Sequence, residues 1–272
     1  LFYFILKFTR ISEFGVDLPS IIFSVLGIYY FFKFFETEIL EEKEDYFFLI
    51  VIFSIFSILI KLSTIPIILL SFYLYIKFFK NLKYSIFRLR YCLVYFLSLS
   101  FLIQQYIYTG CFLFPSNFTC LNVSWFNEDY LKLSRNLELV NKSYYHEAKD
   151  IYTPEEYLKN FNWIFFWIKR NYIEISEHLF TIILPSILFL FFLKNRENNF
   201  FLIDKFGLYI FLILGFLFWL NFSPVYRFGI YLFLTLIYVI LINYLLSKKF
   251  SKILFLVFVL IFVFFSFSKN LL

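Results

Sequence analysis

Two carboxylates, Glu13 and Asp17, stand four residues apart in Arg10-Ile-Ser-Glu-Phe-Gly-Val-Asp17, directly before a long apolar run. On a helix that spacing sets both acids on one face. At a membrane edge two such acids can hold a divalent cation or serve as a general base. The plainer alternative is a solvated loop with an Arg10–Glu13 pair worth under about 1 kcal/mol. Lys61 interrupts an apolar stretch, where a charge is costly unless it reaches the interface or finds a partner. Arg227, in Pro224-Val-Tyr-Arg227-Phe-Gly229, closes another turn, and its guanidinium suits bidentate binding of phosphate. Lys61 and Arg227 read equally well as interface anchors. Asp17 and Glu13 are thus the candidate catalytic or metal-holding acids, and Lys61, Arg227 and Arg10 the candidate phosphate-binding cations.

Other polar groups carry weaker signals. Glu174, Glu177 and His178 fall at i, i+3 and i+4 on one helical face, and His146-Glu147 precedes them. Acids drawn to the positive end of a helix explain the first group as well as metal ligation does. Gln104 and Gln105, inside an apolar run, suit hydrogen bonding between helices. Nucleotide-binding loops, dinucleotide fingerprints, zincin motifs and nucleophile elbows do not occur, so ATP, nicotinamide and serine-hydrolase chemistry find no support.

The elements that must position these residues are membrane helices. Phe alone supplies 46 of 272 residues and 62% of positions are apolar, more than one soluble core can cover. Runs suited to spans are Leu18–Phe35, Tyr46–Ile60, Ile65–Phe79, Tyr91–Tyr108, Leu179–Leu193, Phe206–Phe222, Gly229–Leu246 and Ile253–Phe267. The expected fold is an all-α polytopic membrane protein of about eight spans, plus the tail of an earlier one at Leu1–Phe8. Lys61-Leu-Ser-Thr64 and Pro66 are expected to stop one helix and restart the next. Leu1 opens inside an apolar run and the chain contains no Met, so it reads as the C-terminal part of a longer protein.

The net charge of +6 points to membrane orientation rather than nucleic acid. Basic clusters at Lys77–Arg90, Lys194–Lys205 and Lys248–Lys252 are expected inside, together with the acidic Glu36–Asp45 loop. Alternation then sets Arg10–Asp17, Lys61, the loop from Gly110 to Tyr172 and Ser223–Arg227 on the outer side. Residues 1–109 are expected to form one membrane bundle, 110–172 an outer, periplasmic loop, and 173–272 a second bundle. In the outer loop Cys111 and Cys120 suit a disulfide, with unpaired small apolar residues as the alternative, and Cys92 is expected to be a packing residue. Thr153-Pro-Glu-Glu156 has the form of a helix start. The helix expected to follow, through Arg170, carries a stripe of Leu158, Phe161, Ile164, Phe165 and Ile168. Trp163 and Trp167 are expected as its aromatic trim on the outer leaflet.

Four segments in this order carry a resemblance: Arg10–Asp17, Gly110-Cys-Phe-Leu-Phe-Pro-Ser-Asn-Phe-Thr-Cys120, Phe161-Asn-Trp-Ile-Phe-Phe-Trp-Ile-Lys-Arg170, and Pro224–Gly229. Together they resemble an uncharacterised family of bacterial multi-pass envelope proteins. That family is similar in layout to GT-C glycosyltransferases, which move a sugar from a polyprenyl-phosphate donor on the outer membrane face. The resemblance implies an inner-membrane protein of envelope glycan assembly, with the lipid bilayer and a polyprenyl-phosphate-linked sugar as partners and a divalent cation as a cofactor. Glu13 and Asp17 match the acidic motif that such enzymes carry at an outer edge, and Lys61-Leu-Ser-Thr64 matches their Lys-Ser/Thr turn. The acidic motif of the first outer loop has no counterpart in this sequence. An envelope polysaccharide polymerase or ligase, and a transporter or flippase, are the competing expectations.

Overall fold

A computed structural model describes residues 17–114, 117–126, 128–173, 175–176, 194–195, 205–222, 224–245 and 248–249. Helix α1, Asp17–Glu36, opens with an acid in its first turn and Pro19 where no backbone donor is needed. Helix α2, Leu40–Ile60, begins with Glu41 and Glu42 for the same electrostatic reason. The two run antiparallel: Ser20 meets Ser57, Phe23 packs on Phe53 and Phe56, and Tyr30 stacks on Tyr46 and Phe53. Small residues on the facing stripes, Ser20, Ser24 and Gly27 against Ser54 and Ser57, let the backbones approach closely.

The expected stop and restart after α2 is present. Lys61 is extended (φ −152°, ψ 114°), a 3-10 helix spans Leu62–Ile67, and α3, Ile68–Lys77, continues from it. At Phe78 the path bends by 95° into α4, Phe79–Leu82, and a 3-10 turn at Ser85–Phe87. Helix α5, Arg90–Thr109, buries only Tyr91 and Val94. It ends at Gly110, whose φ of 75° closes the helix in the left-handed conformation glycine favours. The core of the bundle is completed by α9, Lys205–Phe222, and α10, Tyr226–Leu245 (α6 to α8 lie between, in the outer segment).

Ion pairs show which loops share an end. Arg88 holds Glu44 at 2.6 Å, and Arg90 pairs with Asp45 while donating to the Glu44 carbonyl at 3.1 Å. The acidic Glu36–Asp45 loop therefore faces the basic 77–90 loop, as the expected alternation requires. The other two basic clusters also lie side by side: β1, Lys194–Asn195, pairs antiparallel with β2, Lys248–Lys249.

The chain is all-α in its long elements, but the expected number of spans is not met among the described residues. Two helices, Asp17–Glu36 and Arg90–Thr109, are long and apolar enough to cross a membrane, or up to three if the bent pair counts as one. The second run lies within α2, whose first turns carry Glu41, Glu42, Lys43, Glu44 and Asp45, so its apolar part is short. The third is divided between a 3-10 helix and the ten-residue α3. The runs Leu179–Leu193 and Ile253–Phe267 lie outside the described residues, as do Glu177 and His178. One finer expectation is corrected: Cys92 is exposed rather than packed, and among the described residues Gln104, on the exposed side of α5, bonds no neighbouring helix.

The segment that the sequence leads one to expect outside, here called the outer segment, begins with a small hairpin in which Cys111 and Cys120 are disulfide-bonded (S–S 2.06 Å). Helix α6, Glu128–Asn141, follows, then a capping box at Thr153–Glu156 that starts α7, Pro154–Leu158. The single helix expected through Arg170 is broken. A 3-10 turn at Lys159–Phe161 and a φ of 59° at Phe161 separate α7 from α8, residues 163–173. The break turns Trp163 and Trp167 inward, so they are buried rather than forming aromatic trim. Phe161, Phe165, Ile168 and Tyr172 stand on the exposed side instead.

Tyr157 organises this segment. It is fully buried and donates to the Lys142 carbonyl at 2.6 Å, and burial pushes its phenol up to about 12. Tyr157→Phe leaves that carbonyl unpaired and is expected to destabilise the outer segment by about 1–3 kcal/mol. Limited proteolysis between residues 110 and 173 reads the loss, and unchanged resistance would count against the bond. Because the folded phenol titrates above the ordinary tyrosine value of about 10, wild-type stability should fall as pH rises past that value. The Phe variant should lack this component.

Candidate functional site

The antiparallel hairpin brings the N-terminus of α1 and the C-terminus of α2 to one end of the bundle. Unsatisfied N–H groups at the first favour an anion and unsatisfied carbonyls at the second favour a cation. Asp17 occupies the first position and Lys61 the second, and the ammonium Nζ is ion-paired with Asp17 Oδ1. Asp17 is only 6% exposed, so this is no solvated loop acid. The Phe228 ring of α10 lies 3.1 Å from Lys61 Nζ, adding a cation–π contact. Lys61 therefore does not simply extend to the interface; it is held from two sides.

Below the pair, hydroxyls join the two helices. Ser20 Oγ donates to the Ser57 carbonyl (3.2 Å) and Ser57 Oγ to the Ser20 carbonyl (2.8 Å), a reciprocal clamp. Ser24 Oγ lies 2.7 Å from Ser57 Oγ, and Ser57 Oγ lies 2.9 Å from Thr64 Oγ1. Thr64 in turn donates to the Lys61 carbonyl at 2.8 Å, fixing the turn that presents the ammonium. Each hydroxyl has one proton, so the clamp and the Thr64 bond use most of the donors and leave the remaining contacts as acceptors. Ser63 Oγ, in the same turn, is buried without a hydrogen-bond partner among the described residues.

The α9–α10 turn reaches the same end. Trp219 Nε1 donates to the Val225 carbonyl at 2.8 Å, and Gly229 lies so close to Trp219 that a Cβ would stand 2.9 Å from its ring. Trp167 of α8 packs edge-on against Trp219 at 5.7 Å, which ties the outer segment to this turn. Arg227 lies in the first turn of α10, one residue before Phe228.

Of the sequence-derived candidates, Asp17 and Lys61 are brought into contact and Arg227 is placed in an adjoining turn. Arg10 and Glu13 lie outside the described residues. Among the described residues no three His, Cys, Asp or Glu side chains gather as a metal site. Sequence reasoning missed the serine clamp and Phe228. The i, i+4 spacing of Ser20 and Ser24 was a usable signal for the clamp, since small residues at that spacing mark close helix pairs.

A family model described as Domain of unknown function (DUF8201) matches residues 1–234. The chain belongs to the DUF8201 family. The match runs into α10 and so takes in Asp17, Lys61, Arg227 and Phe228 of this DUF8201 member. No curated protein and no solved structure matches it.

Lys61→Met removes the ammonium paired with the buried Asp17 and is expected to destabilise this DUF8201 protein by up to about 3–5 kcal/mol. Adding Asp17→Asn removes both charges and should recover most of that loss. Thermal unfolding of the detergent-purified protein compares the two variants. An equal loss in single and double variants would mean that the pair does not couple these helix ends.

Proposed function

We propose that this protein is an outer-face glycosyltransferase of the bacterial inner membrane, taking a sugar from a polyprenyl-phosphate donor into an envelope glycan. The observation that carries the reading is the Asp17–Lys61 pair at the rim of two apolar helices, with Phe228 and the Arg227 turn beside it. A span of about eight helices, with outer residues on the periplasmic side, belongs to the same proposal.

In this reading the donor phosphate draws Lys61 away from Asp17, and Arg227 and Arg10 add further positive charge. The acceptor hydroxyl attacks the anomeric carbon, the bond from that carbon to the phosphate oxygen breaks, and polyprenyl phosphate leaves with the electron pair. Asp17, released from Lys61, takes the hydroxyl proton or shares a divalent cation with Glu13. A transporter is less favoured, because the hydroxyls between α1 and α2 are bonded to one another rather than lining an open path.

The full-length protein in proteoliposomes, supplied with radiolabelled polyprenyl-phosphate sugars and an envelope glycan acceptor, provides the test. Transfer is expected, with a loss of at least about a hundredfold in Asp17→Asn/Lys61→Met while its fold is retained. Activity that needs Arg227 but survives the double variant would move the assignment to a polymerase or ligase. Full activity in both variants would remove this end of the bundle from the chemistry.

A further inference from the structure

The outer segment carries a second, separate feature. A pocket of about 170 Å³ is lined by Ser143, His146, Glu147, Phe166, Lys169 and Arg170. Lys169 pairs with Glu147 at 2.6 Å, which balances one of the two permanent cations. Arg170 makes no ion pair among the described residues, so the pocket keeps an excess positive charge with His146 beside it. Phe166 and Arg170 are one helical turn apart on α8, which places the guanidinium on the pocket side.

The same helix carries bare apolar surface next to the pocket. Phe165 is 69% exposed and Tyr172 56%, with Ile168 exposed along the same stripe, while Trp163 and Trp167 on the opposite side are buried. Phe165 and Lys169 are also one turn apart, so the stripe borders the Lys169 edge of the pocket, with Arg170 on the far edge. A soluble anion would have no use for the stripe, and an uncharged apolar ligand none for the cations. Both are satisfied by one molecule that joins a phosphate to a hydrocarbon chain.

We propose that this pocket is a binding site for the anionic phosphomonoester headgroup of a membrane lipid. The phosphate sits between Arg170, Lys169 and His146, and the chains lie along Phe165, Ile168 and Tyr172. Arg170 supplies the bidentate contact, and Lys169 exchanges Glu147 for the phosphate. The site does not depend on the glycosyltransferase reading, since it shares no residue with the Asp17–Lys61 end.

Photoactivatable phosphatidic acid and phosphatidylcholine, each at trace level in phosphatidylcholine nanodiscs holding the full-length protein, test this. Crosslinks mapped by peptide mass spectrometry to residues 161–173 should be about tenfold stronger with phosphatidic acid, the ratio one charge-assisted contact gives. Arg170→Gln should reduce labelling to the phosphatidylcholine level, and Arg170→Lys should retain part of it, both with unchanged melting temperature. Asp17→Asn/Lys61→Met should leave the labelling as it is. Equal labelling by the two probes would overturn the site, and so would unchanged labelling in Arg170→Gln. Displacement of the lipid probe by millimolar inorganic phosphate would assign the pocket to soluble phosphates and overturn the lipid assignment.

Discussion

The closely packed hairpin of α1 and α2 is the constraint on which the rest of the bundle depends. In a lipid environment apolar contact alone gives helices little reason to prefer one another over acyl chains. The reciprocal bonds between Ser20 and Ser57 supply that preference and fix the register. Once the register is set, Asp17 and Lys61 must meet, because each sits at the helix end whose dipole favours its charge. The turn after Lys61 is held by Thr64, the 3-10 helix places Ile67 in the core, and α9 and α10 pack against the result.

The opposite end is secured by different means. There Glu44 and Asp45 of α2 meet Arg88 and Arg90 from the chain beyond the bend. Each end of the hairpin thus has a nearly buried acid, Asp17 at one and Glu44 at the other. The cations differ: Lys61 is largely covered, whereas Arg88 is half-exposed and screened by solvent, so its pair with Glu44 chiefly holds the start of α5 in register with α2. The Asp17–Lys61 pair is covered on both sides and is the costlier one to break from one side.

The sequence showed the helical character, the break at Lys61–Pro66 and the shared end of Asp17, Lys61 and Arg227, since all three follow from hydropathy and charge alternation. Periodicity could not show that Lys61 would take Asp17 as partner, because that depends on the register of two helices 37 residues apart at Ser20 and Ser57. Among the described residues fewer of the expected runs form long continuous helices, because apolar composition does not report helix continuity. α2 begins in an acidic turn, and the next apolar run is cut by a 3-10 helix and a 95° bend. In the outer segment the capping box was readable at Thr153, but the break at Phe161 was not, since a positive φ at a phenylalanine is dictated by tertiary packing. The inward turn of Trp163 and Trp167 follows from that break.

Among the described residues helix α5 is held like a cantilever, with its burial confined to Tyr91 and Val94, beside Arg90. Over 20 residues it extends about 30 Å, so one degree of play at its base moves its far end by about 0.5 Å. That far end carries the disulfide-closed hairpin, whose stacked Tyr106, Phe112 and Trp125 make it a compact load on the arm. The chain beyond it returns to the bundle where Trp167 rests on Trp219. Helix α5 is thus tied to the bundle at both ends by different contacts: at its base through Arg90 and Asp45, and beyond its tip through Trp167 and Trp219.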